Sequence, residues 1–148
     1  LQVYALSGTP LAVPTALNTI GHSVVRAESS NSYDVVFDIN GAGQGLIYPS
    51  VVIGLFGRNG VIKSTTAFDA LTVAPGTNYN DSTATTFATG DVLLIRASSP
   101  ACQTALSPYV FSKLAIDSIN TVTRTISFRM RVDPNCGFRS FADGIPKE

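Results

Sequence analysis

Apolar and polar positions alternate most clearly in two stretches of the chain. Tyr33, Val35, Phe37 and Ile39 interleave with Asp34, Val36 and Asp38. A period of two predicts a strand with one buried and one wet face. Ile126, Phe128, Met130 and Val132 interleave in the same way with Thr125, Ser127, Arg129 and Arg131, and Asp133-Pro134-Asn135 ends that strand. Between them, Gly90-Asp91 launches Val92-Leu93-Leu94-Ile95-Arg96-Ala97, a run that reads as a central strand buried on both faces.

Weaker patterns fill in the order. Leu1 to Leu6 reads as a short strand, and Leu11-Ala12-Val13 is an apolar scrap ended by Pro14. Pro10 and Pro14 forbid a helix there and suit an edge strand or an extended arm over residues 1–14. Ile20 to Glu28 predicts another strand. Gly41-Ala42-Gly43-Gln44-Gly45 cannot hold regular structure cheaply, and the chain is expected to resume as a strand over Ser50 to Phe56. Asn59-Gly60 then predicts a type I′ hairpin with Val61 to Thr66 as the return strand. Ala74 to Asn78 is a turn by composition, and Tyr79 to Thr89 a polar loop with some strand character. Ser107-Pro108 is a helix-start signal, but Tyr109 to Ile119 is read as a strand. The tail, Gly137 to Glu148, is expected on the surface. About eight strands with turns between them and no internal repeat predict one all-β domain over 1–148. Its natural form is a two-layer antiparallel β-sandwich, immunoglobulin-like or jelly-roll-like.

Part of the chain resembles the FxLYD-type group of extracellular immunoglobulin-like modules and similar bacterial envelope domains. The resemblance is carried by Asp38-Ile39-Asn40-Gly41, Pro49-Ser50-Val51-Val52-Ile53-Gly54-Leu55-Phe56, Gly60-Val61-Ile62 and Ala74-Pro75-Gly76. It covers residues 33–78, about a third of the chain, and implies an envelope or extracellular sandwich with no catalytic residues.

Composition adds a compartment. Charged residues make up 14% of 148, ten basic against ten acidic, while thirty residues are Ser or Thr. No global field attracts nucleic acid or an anionic membrane. The weak self-repulsion suits a protein that packs against neighbours. No apolar run reaches the roughly 20 residues of a membrane helix. Leu1 stands where an initiator Met would be, so the simplest expectation is an exported chain whose leader was removed. In that setting Cys102 and Cys136 are expected to form a disulfide, the alternative being two free thiols. Secretion, the cell surface or the periplasm is the expected location.

Candidate chemistry is sparse. The glycine-rich stretch 41–45 is followed by Leu46-Ile47-Tyr48-Pro49 rather than a helix, which excludes a phosphate-binding loop, and no nucleotide is expected. His22 is the single histidine, with no nucleophile motif in the chain. One His and two distant Cys do not make a zinc set. Asp34 and Asp38 lie about 13 Å apart on one strand face, too far to share a proton. Asn78, Asn80 and Asp81 are weak calcium candidates without the spacing of a dedicated loop. Asn80-Asp81-Ser82 is a glycosylation sequon. Arg129 and Arg131 make a small basic patch that reads as a solvated strand face.

These readings predict no cofactor and no catalysis. The expected function is that of a structural or interaction protein, a subunit of a surface assembly or filament or an accessory domain of a larger complex, with a protein partner or self-association. A carbohydrate- or ligand-binding module is the alternative. Sugar platforms favour Trp or clustered Tyr, whereas this chain has no Trp and five scattered Tyr. The N-terminal arm, with Leu1, Val3, Leu6, Leu11 and Val13, is apolar enough to be costly in water. It is expected either to pair along its own domain's edge or to be donated to a neighbour's sheet.

Overall fold

The computed structural model describes residues 1–29, 32–53, 59–102 and 104–142. Among them run ten strands: β1 (Gln2–Tyr4), β2 (Ala16–Asn18), β3 (Ser23–Val25), β4 (Val35–Ile39), β5 (Gly45–Pro49), β6 (Gly60–Ser64), β7 (Thr85–Phe87), β8 (Val92–Ser98), β9 (Tyr109–Asn120) and β10 (Thr125–Asp133). They form two five-stranded antiparallel sheets, ordered β1-β10-β9-β8-β6 and β3-β2-β4-β5-β7. The expected all-β, two-layer sandwich is therefore the observed class, with two strands more than anticipated.

The core lies between the sheets. Val35, Phe37, Ile39, Ile47 and Phe87 face Val3, Leu93, Ile95, Leu114, Ile126 and Phe128. Phe37 stacks on Phe128 at 5.5 Å between ring centroids and meets Phe87 edge-on at 6.2 Å. Each such fully buried side chain contributes about 1.5–3 kcal/mol. β8 is buried on both faces, as its unbroken apolar run predicts. Leu93 and Ile95 belong to the central core, while Val92 and Leu94 belong to a second cluster with Leu71, Ala74, Tyr79, Phe111 and Phe141. Residues 67–81 and 137–142 thus add a partial third layer outside the first sheet.

Two local features follow from side-chain demand. The β9–β10 register passes from Ser127↔Ser118 to Phe128↔Ile116, so Asp117 is an extra residue. This bulge lets both Ile116 and Ile119 reach the core. Gly45 is glycine of necessity, because a Cβ there would stand 2.2 Å from the Phe87 ring.

Several expectations need correction. β4 has no wet face, since Asp34 and Val36 are buried and Val36 packs with Ala16 and Tyr33 in a small outer cluster. The stretch 41–45 is a hairpin turn whose last glycine opens β5. Ser50–Ile53 is a 3₁₀ turn rather than a strand, and residues 54–56 of that expected strand lie outside the described residues. Asn59-Gly60 is no hairpin. Gly60 lacks the positive φ of a type I′ turn and opens β6, pairing with Arg96 of the neighbouring β8 in the first sheet. The return strand ends at Ser64, and of Ile20 to Glu28 only Ser23–Val25 is strand. β2 went unanticipated. The tail is not wholly superficial either, because Phe141 is buried and Ser140 bridges Val73; residues 143–148 lie outside the described residues.

Candidate interaction surface at the loop end

Strand directions bring four connections to one end of the sandwich. The pairings Leu17↔Val35, Val35↔Pro49, Gly60↔Arg96, Ser98↔Tyr109 and Phe111↔Asp133 set the β2–β3 turn, the segment after β5, the β8–β9 loop and the segment after β10 there together. The β4–β5 and β9–β10 turns lie at the opposite end.

A buried polar network ties three of these segments, and a disulfide ties in the fourth. The Thr19 backbone N–H and hydroxyl donate to Asp34 Oδ2 at 2.8 and 2.6 Å. The Asp34 carbonyl accepts from the Ser50 N–H at 2.9 Å and from Asn59 Nδ2 at 3.1 Å. Asn59 Nδ2 also donates to Ser50 Oγ at 2.8 Å, and its Oδ1 accepts from the Ser98 N–H at 2.8 Å and the Ser98 hydroxyl at 3.1 Å. Next in the chain, the Ser99 N–H donates to the Pro108 carbonyl at 3.0 Å and the Cys102 N–H to the Ser99 carbonyl at 3.0 Å. The expected disulfide is present: Cys102 and Cys136 are bonded at 2.06 Å with Cα atoms 5.6 Å apart, stapling the β8–β9 loop to the segment after β10. Burial holds the Asp34 carboxyl above its ordinary pKa, with the Thr19 hydrogen bonds pulling the other way.

On this framework stand apolar side chains turned to solvent. Of the ten large apolar residues exposed among the described residues, six lie at this end: Ile20, Val51, Val52, Ile53, Leu106 and Phe138. Leu106 is fully exposed, and the three consecutive residues of the 3₁₀ turn are each 37–41% exposed. Ser50, the first residue of that turn, is buried and hydrogen-bonded from behind. The arrangement can form a preformed hydrophobic contact, since the loops are already fixed by partners inside the protein.

The N-terminal arm lies along its own domain. Gln2–Tyr4 pair with Thr125–Ser127, Val3 is fully buried, and Leu1 exchanges hydrogen bonds with Phe128 at 2.9 Å. Leu6 and Leu11 are exposed, Leu11 at 75%, and Val13 is half-buried. Arg124 clamps the arm, donating from Nε to the Ser7 carbonyl at 2.8 Å and from Nη2 to the Ile39 carbonyl at 2.9 Å. Asp38 Oδ1 accepts from the Ser7 N–H at 3.1 Å and its hydroxyl at 2.8 Å.

The calcium candidates do not converge on a cation position. Asn80 Oδ1 turns back to accept the N–H groups of Ser82 and Thr83 at 3.2 Å, and Asn80 Nδ2 donates to Thr83 Oγ1 at 2.8 Å. Asp81 stands 4.0 Å from Arg96, and Asn78 takes a left-handed φ of 73°. No group of three or more His, Cys, Asp or Glu residues that could hold a metal occurs among the described residues. His22 is exposed in the β2–β3 turn with φ 51°.

A concavity lies on the outer face of the first sheet. It encloses about 430 Å³ over Val92 and Ala115, with Phe68, Asp69, Asp117 and Arg129 at its walls. Arg129 Nε donates to Asp117 Oδ1 at 3.0 Å. Lys113 lies buried nearby, donating to the carbonyls of Phe68 and Leu71, and its Nζ stands 4.3 Å from the Phe68 ring centroid. Burial lowers the Lys113 pKa, while Asp69 raises it and Arg131 lowers it further.

Neither the network nor the exposed end was foreseen from the sequence. The apolar triplet Val51-Val52-Ile53 has the composition of a buried strand, and Asn59 that of a turn. Compared with known proteins, the chain matches no family model, no curated protein sequence and no solved structure. No helix among the described residues is long and apolar enough to cross a membrane.

Proposed function

We propose that the protein is a non-enzymatic, exported β-sandwich that acts through protein contacts, as a subunit of a surface assembly or an accessory domain of a larger complex. The observation that carries this reading is the set of apolar side chains at the loop end, exposed on segments that a buried hydrogen-bond network and a disulfide hold in place. Isolated exposed apolar residues need no explanation, but a group of six gathered from four segments marks a contact site. The Cys102–Cys136 bond supports an oxidising compartment, whether extracellular, surface or periplasmic. The test is a photo-cross-linking residue at position 106 in the native setting. It captures a protein neighbour, whereas the same probe at position 122, exposed at the opposite end, does not. Equal labelling at both positions contradicts the reading.

A small-ligand module is the second reading, and the outer-face concavity is the observation that favours it. Against a sugar platform, Phe68 already has the cations of Lys113 and Arg129 within 4.3 and 5.3 Å of its ring centroid. Glycan-array binding lost on Phe68→Ala would support this second reading.

A further inference from the structure

We propose that Asn40 is a site of spontaneous covalent modification, converted in the folded protein to aspartate and isoaspartate by attack of the Gly41 backbone nitrogen on its side-chain amide. The site lies in the β4–β5 turn, at the end of the sandwich opposite the exposed loop-end residues, so the proposal stands apart from the contact-surface reading.

The chain contains two Asn-Gly pairs, Asn40-Gly41 and Asn59-Gly60, and the fold treats them in opposite ways. Asn59 is almost wholly buried, with its amide nitrogen and oxygen both bonded, to Asp34, Ser50 and Ser98. A Cβ at Gly60 would stand 2.7 Å from Tyr79 Cβ, so the backbone beside that amide is closely packed. Asn40 is half-buried, and Gly41 and Ala42 after it are exposed. Nothing lies within 4 Å of a Cβ built at Gly41.

The reacting groups are disposed for the reaction. Asn40 Oδ1 accepts the backbone N–H groups of Ala42 and Gln44, each at 3.0 Å. Two donors on one amide oxygen draw electron density from Cγ, and they are already in place for the oxyanion that forms there when a nucleophile adds. Gly43 donates its N–H to the Asn40 carbonyl at 3.0 Å, which leaves Gly41 as the one residue of 41–44 whose N–H has no acceptor among the described residues. Nδ2, the leaving group, meets only the exposed Gln44 Oε1, at 3.1 Å.

The reaction consumes water and needs no oxidant or reductant. Hydroxide takes the Gly41 N–H proton, the nitrogen bonds to Asn40 Cγ, and the Cγ–Nδ2 bond breaks as ammonia leaves with a proton from solvent. Water then opens the five-membered imide. Cleavage between the Gly41 nitrogen and Cγ leaves aspartate, and cleavage between that nitrogen and the Asn40 main-chain carbonyl carbon leaves isoaspartate. Isoaspartate lengthens the main chain by one carbon inside a turn closed by the Asn40 N–H to Gln44 carbonyl bond at 2.9 Å.

Asn120 is an internal control at the same end of the sandwich. Its Oδ1 is held in the same way, by the N–H groups of Val122 and Thr123 at 2.9 and 3.0 Å. The residue after it is Thr121, whose branched Cβ crowds the nitrogen that would attack.

Peptide mass mapping of the folded, oxidised full chain during incubation at mildly alkaline pH tests the proposal. Position 40 should exchange NH2 for OH at least about tenfold faster than positions 59 and 120, with part of the product labelled by isoaspartyl methyltransferase. Gly41→Ala fits the open space at a φ outside the left-handed region. It should slow conversion about tenfold or more while circular dichroism and the melting temperature stay unchanged. In denaturant, position 59 should convert about as fast as position 40. An Asn40 that stays intact in the folded chain overturns the proposal, as does conversion at position 59 or 120 as fast as at 40 in that state. Wild-type rates in Gly41→Ala exclude the Gly41 nitrogen as the nucleophile and overturn it equally.

Discussion

Asn59 Oδ1 accepts the backbone N–H of Ser98 at 2.8 Å, while Asn59 itself is almost wholly buried. This one side chain also donates to the Asp34 carbonyl and to Ser50 Oγ, so it joins the β4–β5 sheet to β8 of the opposite sheet. Asn59→Ala strips buried groups of their partners, and an unsatisfied buried polar group costs about 1–3 kcal/mol. The expected loss, read from urea unfolding, is about 2–4 kcal/mol, larger than for any exposed loop-end substitution. A loss below about 1 kcal/mol contradicts the bridging role.

Asp34 carries a pH dependence of definite sign. Burial raises its folded pKa above the ordinary 3.8, so the native state holds this proton more tightly than the unfolded chain does. Its contribution to stability is therefore greatest below about pH 4 and is lost as pH rises through the raised value. Asp34→Asn removes that slope. Melting temperatures of wild type and variant should diverge between about pH 4 and neutrality, the wild type falling relative to the variant. Parallel curves contradict the raised pKa.

Much of the fold was legible where burial imposes a period. β10 and the inner face of β4 alternate because one side of each meets the central core, and β8 reads as unbroken apolar because the layer over Val92 and Leu94 buries its second face. The misreadings have physical causes. β5 begins at a glycine demanded by the Phe87 ring and ends at Pro49, so its signature is that of a loop. β2 is three residues between Pro14 and a turn, too short to show a period. Asn-Gly has a strong turn preference, yet here the amide is consumed by tertiary partners that no local window contains. The candidate surface was illegible for the same reason, since a local pattern marks Val51-Val52-Ile53 as apolar but cannot tell which neighbours are missing.

Lys113 pins the outer layer. Its Nζ donates to the Phe68 and Leu71 carbonyls, and that layer also contains the Phe141 N–H bonded to the Thr72 carbonyl at 2.8 Å. Lys113→Met preserves much of the side-chain volume and removes both bonds. Hydrogen exchange at the amides of Leu71 and Phe141 should accelerate at least tenfold, a loss of about 1.4 kcal/mol in local opening energy, while β4 and β10 amides stay protected. Unchanged exchange at Leu71 contradicts the pinning.

The N-terminal arm is integral to its own sheet edge in this structure. Val3 and Ala5 are fully buried, and Arg124 and Asp38 hold Ser7. Deleting residues 1–13 removes about 1.5–3 kcal/mol for Val3 alone. The truncated chain should melt well below the full one. A truncated chain of full stability that loses self-association instead supports donation of the arm to a neighbour.

The most direct measurement of the central claim is hydroxyl-radical footprinting of the native material against the dissociated, folded chain. Leu106 and Phe138 should be strongly protected from oxidation in the native state and freely oxidised once dissociated, with Val122 equally reactive in both. If Leu106 oxidises at the same rate in the two states, the loop end is not where this protein meets its partner.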